Sequence, residues 1–151
     1  MNTALAGEKY TRGTFERYVE KASGADVRSL FQEIVQNKQH HIQMLEERLN
    51  ALGEKPSLPA KAAETMAKVN EALKGSDEIG LLRRALGDMQ TGVVDTYSLR
   101  NQLTDPISVA LLNEIEVDLA RYDQRVAQLY HQALGVQPIQ VVRTTTSTVI
   151  G

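Results

Sequence analysis

The stretch GEKPSLP at residues 53–59 divides the chain into two helical halves. Its glycine and two prolines stop a helix, whereas helical periodicity fills most of the sequence before it and continues after it to residue 134. Residues 60–73 have an apolar stripe that predicts a short amphipathic helix, which the glycine and serine at residues 75–76 end. The two halves are therefore joined by a long connection that contains a helix of its own.

Each half is predicted to be a hairpin of two long helices. The predicted helices span residues 3–22, 27–52, 77–103 and 106–134. Ser23 and Gly24 interrupt the first pair, and Asp26 is a candidate N-cap for its second helix. The second pair turns where Asp105 can cap the last helix and Pro106 suits its first position. Links this short make the helices of each pair antiparallel neighbours.

The order of the connections (short, long, short) distinguishes between bundle topologies. A simple up-down bundle needs three short loops, whereas one long crossover is typical of ferritin-like bundles. The sequence therefore predicts an all-α fold, a ferritin-like four-helix bundle at residues 1–134 in which the crossover carries a short helix. Residues 135–151 are predicted to form an extended tail, because they are rich in β-branched residues and lack a helical period. That tail is either flexible or an arm that contacts another subunit or a protein partner.

Composition narrows the class of protein. The chain has 151 residues, a net charge of −2 and no cysteine. The small charge gives no reason to expect nucleic acid or an anionic membrane as a partner, and without cysteine there is no disulfide or thiolate metal site. No apolar run approaches the roughly 20 residues of a membrane span, and no signal peptide is recognisable. We therefore expect a cytoplasmic protein that contacts neither nucleic acid nor membrane.

The two halves look like copies of one hairpin. A Gly-Glu pair that ends at Glu8 in the first half corresponds to a Gly-Asp pair that ends at Asp88 in the second. Glu8 precedes His41 by 33 residues, and Asp88 precedes Tyr122 by 34. Acids and histidines that point inward from such hairpins hold the metals of di-iron bundles.

The first half, from the Gly-Glu pair at Glu8 through Phe15 to His41, resembles the rubrerythrin-type ferritin-like family. In that family the Gly-Glu pair opens the metal site, and a Glu-x-x-His pair on the second helix ligates the metals. The similarity covers residues 4–134; it is clear for the first hairpin and weak for the second.

The resemblance implies a di-iron site with six protein ligands, and this sequence keeps only part of that set. The candidate metal ligands that remain are Glu8, His41 and Asp88. The replaced ligand positions are Lys38, Leu119 and Tyr122. Both carboxylates that would bridge the metals and one histidine are missing, so the resemblance predicts a degenerate site.

Lys38 lies on the inward stripe of its helix, where an unpaired charge costs several kcal/mol. We therefore expect Lys38 to pair with Glu8 and Asp88 in the place of the metals, with His41 and Tyr122 completing a hydrogen-bonded cluster. Four acids of the last helix are expected on its solvated outer face, namely Glu114, Glu116, Asp118 and Asp123.

Two functions stay open from the sequence. The favoured one is a non-enzymatic ferritin-like protein without a cofactor, which acts by assembling with itself, as a two-fold dimer, or with a protein partner. The alternative is an iron-handling or peroxide- or oxygen-linked oxidoreductase that keeps iron or another divalent metal at a reduced site. The residues do not decide whether the protein is an enzyme.

Overall fold

The computed structural model describes residues 1–57 and 62–135. In this part of the chain the helices are α1 (Asn2–Lys21), α2 (Ala25–Ala51), α3 (Ala62–Leu73), α4 (Glu78–Asn101) and α5 (Pro106–Ala133). The predicted fold class is confirmed: four long helices form two hairpins, and the short helix α3 lies in the crossover between them.

The four long helices pack around one core. The contacts within each hairpin, α1 with α2 and α4 with α5, are the most extensive, and the hairpins meet where α1 packs on α4 and α2 on α5. Most of the core is aliphatic, with one aromatic cluster of Phe15, Tyr18 and Phe31. Their ring centroids lie 5.0 to 5.7 Å apart. This packing directs one face of each long helix inward and so brings polar side chains of different helices together.

The start of α5 confirms the predicted cap. The Asp105 side chain accepts a hydrogen bond from the Ser108 backbone N–H, and Pro106 occupies the first turn. Asp105 also pairs with Arg48 of α2. Hydrogen bonds from Ser108 and Arg48 lower the pKa of Asp105 to about 2. The cap therefore also ties the second hairpin to the end of α2.

The start of α2 differs from the prediction. Asp26 is not its N-cap, because the helix begins earlier and Gly24 takes that position without a side-chain bond of its own. The backbone N–H groups of Ser23 and Gly24 instead donate to the Glu78 carboxylate at 3.1 and 2.7 Å. An acid from the first turn of α4 thus caps α2, a tertiary contact that local sequence cannot reveal.

The predicted tail falls almost entirely outside the described residues, since these end at 135, and the boundary at residue 134 stays a prediction. Within residues 1–57 and 62–135, no helix has the length and apolar character needed to cross a bilayer.

Candidate functional site: a buried polar cluster in the bundle core

Lys38 lies in the bundle core. The residue is 1 % exposed, and its Nζ atom is 3.3 Å from Oε1 of Glu8 on α1. The ammonium group also faces the Phe15 ring, 5.9 Å from its centroid. The predicted pair between Lys38 and Glu8 is confirmed, and it follows from the antiparallel packing of α1 on α2.

The carboxylate of Glu8 lies between two basic side chains. Its second oxygen, Oε2, is 2.8 Å from Nδ1 of His41, one turn along α2 from Lys38. Burial alone raises the pKa of Glu8, but the charge of Lys38 and the hydrogen bond with His41 outweigh it and hold this pKa below its ordinary value. Glu8 is therefore a buried, ionised carboxylate with both oxygens in use.

His41 is fully buried and contacts a carboxylate at each ring nitrogen. Its Nε2 atom lies 2.8 Å from Oδ2 of Asp118 on α5, on the side of the ring opposite to Glu8. Ionised carboxylates only accept hydrogen bonds, so the two contacts require a hydrogen on both nitrogens, which makes the ring an imidazolium. Lys38, Glu8, His41 and Asp118 then form a row of alternating charges across the bundle, which we call the core polar row.

Asp118 corrects the prediction for the acids of α5. Its side chain is 14 % exposed, accepts a hydrogen bond from Asn37 at 3.0 Å and pairs with Arg121. Burial raises the pKa of Asp118, but the bonds from Asn37 and His41 lower it further, so the net shift is downward.

The other three acids of α5 that were predicted to be exposed differ in their solvent exposure. Glu114 is exposed, as predicted, whereas Glu116 is half-buried against Arg100 and Asp123 is also half-buried. One feature of the sequence could have indicated Asp118. It directly precedes Leu119, and the resemblance places a metal ligand at the position of Leu119.

Asp88 does not pair with Lys38 as expected. Its Oδ2 atom instead accepts a short hydrogen bond, 2.6 Å, from the hydroxyl of Tyr18 on α1. Among the described residues no cationic nitrogen lies within 4.0 Å of this carboxylate. Burial raises the pKa of Asp88 above its ordinary value, although the bond from Tyr18 and the charge of Lys38 oppose that shift. The same contact and burial raise the pKa of Tyr18.

The second-hairpin positions Leu119 and Tyr122 lie outside the core polar row. Leu119 is 1 % exposed and packs in the apolar core. Tyr122 was predicted to join the cluster, but its half-buried ring packs against the guanidinium of Arg125, 5.5 Å from the ring centroid. Arg125 is itself held by the Glu33 carboxylate at 2.5 and 3.1 Å. The Arg125–Glu33 pair joins α5 to α2 at the surface, and the Tyr122 ring packs beside it instead of joining the core polar row.

A cavity of about 530 Å³ opens between α1 and α4 beside the core polar row. Glu8, Lys38 and Asp88 all line it, so the structure brings Asp88 to the same space as the other two without direct contact. In the described part of the chain, no three His, Asp or Glu side chains are grouped so that they could hold a metal ion. Metal binding by Glu8, His41 and Asp88 stays a prediction.

The fold is that of a ferritin-like domain. A solved structure similar to this chain is that of a two-domain protein from Anabaena variabilis ATCC 29413, which contains DJ-1/ThiJ/PfpI-like and ferritin-like domains. The two are 50 % identical with a TM-score of 0.79, over 91 % of this chain and 40 % of that protein. This chain therefore spans less than half of that relative, and its helices match the ferritin-like part. No protein-family model matches, and no curated protein is similar enough to report.

Proposed function

We propose that this chain is a ferritin-like module that works without a di-iron centre and acts by associating with protein. The observation that carries the proposal is the core polar row. Glu8, Lys38 and His41 lie at positions where the family resemblance would place metal ligands, and their polar groups are satisfied within that row. Lys38 supplies, as a fixed ammonium, positive charge that a metal would otherwise bring.

The donor set supports this proposal because it does not suit two metal ions. Two divalent irons carry four positive charges and need several carboxylates around them in a low-dielectric interior. Here both oxygens of Glu8 face basic groups, and both nitrogens of His41 face carboxylates. Glu8 and Asp118 lie on opposite sides of the imidazole ring, so they do not converge on one point. An ion near Glu8 would also have to displace the ammonium of Lys38.

Elemental analysis tests the metal-free part of the proposal. We expect protein that is purified without chelator, and then incubated with ferrous iron, manganese or zinc, to retain less than one equivalent after desalting. The rival, a metal-dependent protein with a reduced site, requires stoichiometric metal that disappears in Glu8→Ala and His41→Ala. His40→Ala is the matched control, because His40 is the exposed neighbour of His41 on α2. Metal that follows this pattern would overturn the proposal.

Lys38→Glu sharpens the same test, since it returns a carboxylate to the replaced position. We expect the variant to be less stable and to gain divalent metal that the wild type does not hold. Lys9→Glu is its control, because Lys9 lies on the surface of α1 and pairs with Glu46. A Lys38→Glu variant that gains no metal and loses no stability would contradict the idea that the ammonium replaces a cation.

The association part rests on exposed apolar side chains and on the relative's architecture. Among the described residues, the four most exposed large apolar side chains all lie on the second hairpin: Val94 (64 %), Ile107 (63 %), Val117 (57 %) and Tyr97 (51 %). In the Anabaena protein a ferritin-like domain occurs in one polypeptide with a DJ-1/ThiJ/PfpI-like domain. We take a domain of that type, in the same polypeptide or as a separate protein, as the partner. A two-fold homodimer through the same exposed side chains is the alternative.

Sedimentation velocity distinguishes these partners. The chain is run alone and with the isolated DJ-1/ThiJ/PfpI-like domain of the Anabaena protein. We expect a complex with that domain, which Val94→Glu with Tyr97→Glu abolishes and Leu52→Glu, at an exposed apolar residue outside the second hairpin, does not. A dimer of the chain alone that the same double variant disrupts would favour self-assembly. A chain that stays monomeric in both runs would contradict the association proposal.

A further inference from the structure

The crossover helix α3 meets α1 at a glycine. A Cβ atom at Gly13 would lie 3.2 Å from both Sδ and Cε of Met66, so the thioether of Met66 takes up the space that a side chain on α1 would need. Glycine is less favourable than alanine inside a helix, and here it allows a close approach of the two helices. We call this the Gly13–Met66 contact.

The packing of α3 on the bundle is limited. Contact between α1 and α3 is much less extensive than contact within either hairpin. The apolar stripe of α3 consists of Met66, which is half-buried, Val69 at the edge of the core, and Leu73, which is 1 % exposed. A helix of 12 residues is marginal without tertiary packing. The attachment of α3 therefore depends on a small number of side chains, and Met66 is one of them.

Methionine sulfur is the readily oxidised group of this chain, which has four methionines and no cysteine. Met89 is fully buried, whereas Met66 is half-buried and so within reach of a small solute. Hydrogen peroxide transfers one oxygen atom to Sδ: an S–O bond forms and the O–O bond breaks. The thioether is thereby oxidised to a sulfoxide, and the peroxide is reduced to water. The sulfoxide is polar and larger than the thioether.

We propose that Met66 is a peroxide-sensitive modification site and that its oxidation detaches α3 from α1. The Gly13–Met66 contact already needs a residue without a side chain on α1, so an added oxygen atom does not fit there. A polar sulfoxide also loses the benefit of burial against apolar atoms. Both effects act on a helix whose other contacts are few enough for one side chain to matter.

Detachment of α3 uncovers a second cavity. This cavity has a volume of about 220 Å³, and Val69 and Leu73 of α3 line it together with Tyr18 and Asp88. Once α3 has moved, the hydrogen bond between Tyr18 and Asp88 faces solvent on this side. The proposal does not depend on the association proposed above, because the exposed apolar side chains of that proposal lie on α4 and α5.

Hydrogen–deuterium exchange of the full chain, before and after treatment with hydrogen peroxide, tests the site. We expect one added oxygen atom on the peptide that contains Met66, and exchange of the α3 amides at least about tenfold faster than in untreated protein. Met66→Leu keeps an apolar side chain of similar size without sulfur, so α3 should exchange slowly before and after peroxide. Met44→Leu is the matched control. Met44 is half-buried on α2, and this variant keeps Met66 and should behave like the wild type.

Met66→Gln gives a second measurement that does not depend on peroxide. Its amide places a polar group at the Gly13–Met66 contact, and we expect fast exchange of α3 in the untreated variant. Unchanged exchange in a protein whose Met66 is fully oxidised would overturn the proposal. The same acceleration in Met66→Leu, or a Met66 that stays reduced while Met44 is oxidised, would overturn it as well.

Discussion

Each hairpin has an acid after a glycine at the equivalent position of its first helix, but the two acids have different electrostatic surroundings. In the first hairpin Glu8 lies between Lys38 and His41, and these two basic groups lower its pKa despite burial. In the second hairpin Asp88 accepts one bond from the neutral Tyr18 hydroxyl, and burial raises its pKa. The repeated position therefore fixes where an acid lies, whereas the residues of the facing helices decide whether its charge stabilises the fold.

Neutralising the two acids in the same way should have the largest effect at Glu8. Glu8→Gln keeps the shape of the side chain but leaves the Lys38 ammonium and the His41 ring buried without their shared carboxylate. Breaking a buried pair on one side costs roughly 3–5 kcal/mol, and we expect a loss of that size in the free energy of unfolding. Urea denaturation followed by circular dichroism measures it.

The control for Glu8→Gln is Glu16→Gln on the same helix, whose carboxylate forms only a solvent-exposed pair with Arg12. We expect that substitution to change stability by no more than about 0.5 kcal/mol. If Glu8→Gln cost as little as Glu16→Gln, the core polar row would contribute nothing to the fold.

Asp88→Asn, the same change at the equivalent position, should cost much less. The amide oxygen of Asn still accepts the bond from the Tyr18 hydroxyl, and the buried carboxylate that lacks an ion-pair partner is removed. We expect a loss of about 1 kcal/mol or less, the ordinary net value of one hydrogen bond. Tyr18→Phe should cost more than Asp88→Asn, because it leaves the buried carboxyl group of Asp88 without its hydrogen-bond donor. An Asp88→Asn loss that equals the Glu8→Gln loss would show that the two acids have equivalent surroundings after all.

The pH dependence of the two variants should have opposite signs. Glu8 has a lowered pKa in the folded state, so its stabilisation is complete above its ordinary pKa of 4.5 and is lost as the pH falls. Asp88 has a raised pKa, so the folded state gains stability when the pH falls towards the ordinary value of 3.8. The difference between wild type and Glu8→Gln should therefore shrink in acid, while that between wild type and Asp88→Asn should grow.

Unfolding free energies at pH 7, 5 and 4 measure these two trends. We expect both changes with pH to be smaller than the Glu8→Gln loss at neutral pH. Parallel trends for both variants would contradict the opposite assignments.

Much of the fold could be predicted from the sequence because its signals are local. The helix-stopping residues from Gly53 onward, the cap at Asp105 and the apolar periodicity all act within a few residues. The structure agrees with these signals, since α2 ends at Ala51 and Asp105 caps α5. The α2 cap could not be predicted, because the Glu78 carboxylate that forms it comes from a different hairpin. Neighbouring residues predict Asp26 as the N-cap, but Asp26 lies in the first turn of that helix.

The same limit applies to the candidate site. The pair of Lys38 with Glu8 could be predicted from inward-facing stripes, because an ammonium in the core must have a partner. The contact of Asp118 with His41 depends on how α5 is rotated against α2, and periodicity does not fix this rotation to within one residue. The resemblance predicts Tyr122 in the cluster because it corresponds to the second histidine position of the family. That prediction is wrong, since α5 turns the Tyr122 ring towards Arg125.

The smallest expected effect concerns the glycines that precede the two acids. Gly7 and Gly87 lie inside helices, and a Cβ atom at either position would meet no atom within 4 Å. Alanine restricts the unfolded chain more than glycine does, so Gly7→Ala and Gly87→Ala should each stabilise the protein by about 0.5–1 kcal/mol. Gly92→Ala is the contrasting variant. Its Cβ would lie 3.3 Å from Cδ1 of Leu119, so we expect a smaller gain in stability. Thermal denaturation measures all three variants. If Gly7→Ala destabilised the protein, the space beside Gly7 would be smaller than the open cavity between α1 and α4 indicates.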